Sequence, residues 1–209
     1  MPAWQFDDSV ANSFSKYAPT HIPKYHEVIE ETATIVETLH GLDARIIDVG
    51  CATGETLRFL KTRGFKNLYG VDCSEAMTKK IDPSLATLFV SKTFPKIPEK
   101  FDAVIANWTL HFIHEKEEYL YSILEGLNPG GILILTDKTS LSSIPIKFYH
   151  DFKRSMGVSD EEIRAKQESL VGVMRIDPVE WYLNFFKARG HAAYIFNASF
   201  CFTSFLIVK

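Results

Sequence analysis

The 209-residue chain has only three cysteines, Cys51, Cys73 and Cys201, scattered with no C-x-x-C pair and no H-E-x-x-H run. That excludes a disulfide framework and the common zinc spacings, so reduced thiols and no structural metal are expected. No apolar run reaches membrane-spanning length, and the opening Met-Pro-Ala-Trp-Gln-Phe-Asp-Asp lacks the charged and apolar regions of a secretory leader. A cytoplasmic protein without a membrane partner is therefore expected. Positive charge is not in excess either: 23 Lys+Arg against 26 Asp+Glu give a net −3, leaving no electrostatic footprint for direct nucleic-acid binding. With 9 prolines and 46% hydrophobic residues, extended disorder is excluded. Enough apolar residues remain to bury a sizeable core within one domain, read as residues 1–209.

The stretch Arg45 to Leu60 organises the rest. Ile46 to Val49 is a short, β-branched apolar run, suited to a buried strand. Gly50-Cys51-Ala52-Thr53-Gly54 then places glycines at both ends of a tight turn. Leu57 and Leu60 recur on one helical face, so the chain reads strand, glycine turn, helix, a unit that aims backbone N–H groups at a ligand above the strand's carboxyl end. Asp48 heads the turn, and Asp72 ends a second apolar run at about the twenty-residue spacing used to hold ribose hydroxyls. A dinucleotide site usually carries G-x-G-x-x-G. A carboxylate at Asp48 repels phosphate and favours a cationic amino acid instead. Cys51 fits the turn as a small residue.

Along the chain, residues 1–44 read as a helical cap. Phe6, Val10, Phe14 and Tyr17 recur at helical spacing behind Asp7 or Asp8, Pro19 and Pro23 break the chain, and Tyr25 to Leu42 is a long helix. Tyr25 faces the ligand or packs; order alone leaves both open. Ser74 caps a short helix over 75–80, and further strands are expected at 86–90, 101–107 and 132–136. A helix over 115–127 stops at Asn128-Pro-Gly-Gly131. Asn107, Trp108 and His111 then fall at the ligand-binding edge. Residues 140–175 exceed what a βα connection needs and read as a helical lid, with its second helix at 161–171. A helix from Asp177 to near Gly190 and two edge strands, 193–196 and 202–208, close the chain. The alternation indicates an α/β, Rossmann-like, doubly wound sheet of seven strands.

With its acidic head, Asp48-x-Gly50-x-x-x-Gly54 resembles the first motif of class I S-adenosylmethionine (SAM) methyltransferases, with Ala52 where many members have glycine. That resemblance covers residues 45–137. A narrower one spans nearly the whole chain: Phe6-Asp-x-x-Val-Ala-x-x-Phe14, Pro23-x-Tyr25, Leu127-Asn-Pro-Gly-Gly131, His150-Asp-Phe-Lys-Arg154, Glu162-Ile163 through Val173-Met174 and the Phe-rich closing strand are similar to the carboxy-SAM synthases. Those bacterial enzymes convert SAM and prephenate for wobble-uridine modification in tRNA. The resemblance implies cofactor contacts at Tyr25, Gly50, Cys51, Ala52, Asp72, Cys73 and Asn107, and a homodimer. Two positions depart from it. The family's acid after the third strand falls on Lys92, beside Ser91 and Thr93, and lysine only donates. The family's carboxylate-gripping lid arginine falls on Gln167, which offers one neutral amide; Arg164, one turn earlier, is the expected substitute, ahead of Lys166.

These departures favour a SAM-dependent methyltransferase on a carboxy-SAM-synthase-like scaffold, using SAM (or holding S-adenosylhomocysteine, SAH, or carboxy-SAM) with a small-molecule acceptor. His111 is the first candidate base, against a packed or solvent-facing histidine; His114, His150 and Asp137 follow. Two alternatives stand: carboxy-SAM synthesis with Arg164 standing in, and a non-catalytic SAM or SAH binder. Asn107-Trp-Thr-Leu110 lacks the Pro-Pro-aromatic run of the family that methylates nucleic-acid amino groups.

Overall fold

The computed structural model describes residues 5–209; Met1 to Trp4 lie outside the described residues. Asp7 caps α1 (Asp8–His21), its carboxylate accepting the Val10 N–H at 3.0 Å. Pro19 does not break this helix. It lies in the last turn, so it removes only the bond its own N–H would make to the Ser15 carbonyl, and the Ile22 N–H still closes onto the Ala18 carbonyl at 2.9 Å. The break comes at Ile22–Lys24, and α2 (Tyr25–His40) follows. It stops two residues earlier than the apolar pattern suggests because Gly41 turns the chain at φ +73°.

Five parallel strands come next, β1 (Arg45–Val49), β2 (Asn67–Asp72), β3 (Thr87–Val90), β4 (Phe101–Asn107) and β5 (Leu127–Lys138). Between them lie α3 (Glu55–Thr62), α4 (Glu75–Thr78) and α5 (Lys116–Gly126). After α6 (Ser143–Ser155), α7 (Asp160–Ser169) and α8 (Val179–Lys187), the antiparallel pair β6 (Ala192–Ser199) and β7 (Phe202–Val208) completes a sheet of order β3-β2-β1-β4-β5-β7-β6. The seven-strand expectation holds. Asn128-Pro-Gly-Gly131 does not separate α5 from β5, however. Leu127 already pairs with Phe101, and a register shift between Phe101 and Ala103 takes up the extra residues.

Alternation along the strands divides the core into two layers. Ile47, Val49, Val104, Leu133 and Leu135 pack with Leu120 and Ile123 of α5 and Tyr182 and Phe186 of α8. Ile46, Ile105 and Ile134 face the other way, onto Ala33 and Val36 of α2 and Leu57 and Leu60 of α3. The strand order reverses between β1 and β4, both running outward from the centre, and the crevice at their carboxyl ends is where ligands bind such sheets.

Candidate active site

That crevice opens into a cleft of about 1220 Å³. Its floor is the glycine turn. The Gly50 and Cys51 N–H groups donate to the Val71 carbonyl at 2.7 and 3.2 Å, which ties the turn to β2. Gly50 sits at φ +70°, and a Cβ there would lie 2.1 Å from Thr109 Oγ1. Ala52 occupies φ +44°, the left-handed region where glycine is easier. Its N–H donates to Asp72 Oδ2 at 2.9 Å, and the Ser74 N–H to Oδ1 at 2.8 Å. Burial pushes the Asp72 carboxyl up despite these donors, which pull it the other way. Asp48, 3% exposed and without a hydrogen bond among the described residues, is pushed well above the usual carboxylate range by burial and then by Asp72. The floor is an acidic pit formed by Asp48 and Asp72.

Most of the expected site residues meet here. Tyr25, Asp48, Gly50, Cys51, Ala52, Asp72 and Cys73 line the cleft, as do Lys92 and Thr93 on its exposed rim. Tyr25 both packs and faces the cleft, its ring stacked on Trp108 at 4.7 Å. Asn107 Nδ2 donates to Thr32 Oγ1 at 3.2 Å, while Asn107 Oδ1 and Trp108 Nε1 are buried without partners among the described residues. Two expected residues lie elsewhere. Gly54 opens α3 at φ +84° against Ile81 and shapes the turn rather than the cleft wall. Arg164 is exposed and off the cleft wall. The inner stripe of α7 runs Ile163, Lys166–Gln167 and Leu170, and Arg164 is rotated about 100° from Ile163. Lys166, ranked behind it, lines the cleft beside Gln167 with its ammonium 5.4 Å from the Tyr17 ring centre.

His111 is packed rather than solvent-facing, and it lines the cleft. It lies in a 3₁₀ turn after β4, 5% exposed, its Nδ1 against Asp137 Oδ1 and its backbone N–H on the same oxygen at 3.0 Å. His114 and His150 line the cleft as well. Asp137 is wholly buried at the end of β5. Burial alone would raise its carboxyl, but His111, Lys116 and the Tyr182 hydroxyl hold it below the usual range.

Sequence reasoning missed the cations opposite. Lys138 at the end of β5 and Lys153 of α6 are 9% and 5% exposed and line the cleft, with ammoniums 5.0 and 4.2 Å from the Tyr149 ring centre. Neither makes a salt bridge or hydrogen bond among the described residues. Burial, with the charge of Lys138 behind it, pulls Lys153 down to about 8. Burial and then Lys153 pull Lys166 down to about 6. The available signal was His150-Asp-Phe-Lys-Arg154, whose lysine sits one helical turn from Tyr149.

A glycine turn over an acidic pit, at the carboxyl edge of a sheet ending in an antiparallel hairpin, is the layout of a class I SAM-dependent transferase. A methyltransferase-domain family model matches residues 21–194. Carboxy-S-adenosyl-L-methionine synthase from Erwinia tasmaniensis is 31% identical, over 99% of this chain and 92% of that protein. Its counterpart from Campylobacter fetus is 34% identical over 82% and 79%. The plantazolicin methyltransferase BpumL, solved with SAH, shares the fold at TM-score 0.74 and 12% identity, over 95% of this chain and 88% of that one. Magnesium protoporphyrin IX methyltransferase from Synechocystis does so at 0.69 and 12%, over 98% and 96%. The chain belongs to the SAM-dependent methyltransferase family, as a transferase related over its whole length to the carboxy-SAM synthases. No helix among the described residues is long and apolar enough to cross a membrane.

Proposed function

We propose that the protein is a SAM-dependent methyltransferase whose small-molecule acceptor carries an anionic group, with His111 as general base. The observation that carries the reading is the His111–Asp137 pair. A buried carboxylate on Nδ1 fixes the tautomer and leaves the other ring nitrogen for the cleft, the arrangement a base needs. The residues present fit SAM. Asp48, Asn107 Oδ1 and Asp72 offer acceptors for an ammonium and ribose hydroxyls, and the uncompensated acidity of the pit suits a sulfonium. When bound, SAM supplies an electrophilic methyl group. The chain's own work is to hold the acceptor in line, exclude water and take its proton at His111.

The anionic group is supported by Lys138 and Lys153. Two ammoniums buried against one aromatic ring, with no acceptor among the described residues, are costly, and an anion close to both relieves desolvation and mutual repulsion. The same lysines favour a second reading, carboxy-SAM synthesis from SAM and prephenate, with Lys166 beside Gln167 serving where the synthases it resembles use arginine.

One assay separates the two. Purified protein is incubated with SAM and either prephenate or a panel of small carboxylic and phosphoric acids, and products are read by mass spectrometry. A methylated acid with SAH supports the first reading. Carboxy-SAM formed only with prephenate replaces it with the second. Tight SAM binding without turnover of any acid, including prephenate, refutes both and leaves a binder.

A further inference from the structure

Asp137 is gripped from two sides. Oδ1 accepts from His111, while Oδ2 accepts from the Tyr182 hydroxyl of α8 and from Lys116 Nζ, at 3.3 Å, of α5. Lys116 has no exposed surface; its ammonium also donates to Tyr182 Oη at 2.8 Å and the Arg175 carbonyl at 3.1 Å, and pairs with Asp177 at 2.8 Å. We infer that Lys116 and Tyr182 are positioning residues for the His111 base, occupying Asp137 Oδ2 so that Oδ1 is left to take the ring's Nδ1–H and Nε2 stays bare towards the cleft. The inference rests on the reading of His111 as base.

The physical argument concerns where an extra proton would go. A carboxylate this deep in the core sheds its charge unless donors and cations compensate it. Were Asp137 to gain a proton on Oδ1, it would donate to Nδ1, and the ring hydrogen would move to Nε2. Were the ring to gain the proton instead, Nε2 would carry it all the same. Either route blocks the nitrogen the chemistry needs. Lys116 and Tyr182 oppose both routes by stabilising the carboxylate. The other charges packed around them are already engaged: Arg175 forks onto Glu117 at 2.7 Å and lies 3.1 Å from Asp177. Neither Lys116 nor Tyr182 lines the cleft, so neither touches acceptor or cofactor.

The test uses the full chain labelled with ¹⁵N-histidine, reading the His111 ring nitrogens at neutral pH in native protein, Tyr182→Phe and Lys116→Met. The native ring should show hydrogen on Nδ1 and none on Nε2. In Lys116→Met the Nε2 signal should move to the protonated position in most molecules, and in Tyr182→Phe part of the way. SAM affinity should stay within about twofold in both, since neither residue touches the glycine turn. An Nε2 signal unchanged in both folded variants overturns the inference and leaves the base reading standing. If Lys116→Met does not fold, Tyr182→Phe, which keeps the ring and removes one oxygen, decides alone. Native protein with hydrogen already on Nε2 removes the base reading and this inference with it.

Discussion

Replacing Gly50 by alanine should cripple the turn, for reasons that can be separated. The residue sits at φ +70°, and the added Cβ would lie 2.1, 2.6 and 2.9 Å from Thr109 Oγ1, Cγ2 and Cβ. A left-handed backbone carrying a Cβ costs about 1–2 kcal/mol. Thr109 cannot stay: its hydroxyl donates to the Val49 carbonyl at 3.0 Å and the Asn107 carbonyl at 3.1 Å, and moving it breaks both bonds. At about 1 kcal/mol each, the total reaches about 3–4 kcal/mol, a large share of an ordinary domain's stability. Urea denaturation of Gly50→Ala, Thr109→Ala and the double variant measures this. Because Thr109→Ala removes the two closest atoms, the double variant should be less destabilised than the sum of the singles, with a coupling of about 1–2 kcal/mol. Additive losses, or Gly50→Ala within about 1 kcal/mol of native, would refute the contact as the cause.

Ala52 stands at φ +44°, so Ala52→Gly relieves strain while loosening the unfolded chain, and should leave stability level or raised by about 0.5 kcal/mol with SAM affinity retained; a loss above about 1 kcal/mol would show that the methyl group packs usefully. Asp48 keeps its proton to a higher pH than an ordinary carboxyl, and a bound cation favours its ionised form. SAM binding should therefore release protons and tighten as pH rises through the Asp48 range, which calorimetry in buffers of different ionisation enthalpy detects; proton uptake above the ordinary carboxyl range would contradict it. Lys153 is pulled down to about 8, and a bound anion favours its charged form. Dicarboxylates should raise the melting temperature most below that pH and progressively less above it, and Lys153→Met should abolish the effect while sparing the shift produced by SAM. An anion response that survives Lys153→Met removes this residue from the acceptor site.

The parts of this site that could be read from the chain alone are local ones. Asp48, the turn and Asp72 fall within one strand–turn–helix–strand unit, where spacing dictates position. Pro19 misleads because proline's cost depends on which turn of the helix it occupies, and Asn128-Pro-Gly-Gly131 because a bulge can absorb what looks like a loop. Arg164 and Lys166 are two residues apart, and only the packing of α7 settles which one faces inward. The Lys116–Tyr182–Asp137–His111 chain joins three helical turns and a strand across about seventy residues, and no periodicity announces it.

SAM binding in the acidic pit beneath the glycine turn can be measured before any acceptor is known. Mass spectrometry of the small molecules released when freshly purified protein is denatured, alongside calorimetric titration with SAM, tests it directly. SAM or SAH is expected in the released fraction, with a SAM affinity that falls at least tenfold in Asp72→Ala, which removes the acceptor for the Ala52 and Ser74 N–H groups. Recovery of carboxy-SAM would keep the pit and transfer the activity to the synthase reading. No adenosyl compound and no heat of SAM binding would mean that the pit does not hold SAM.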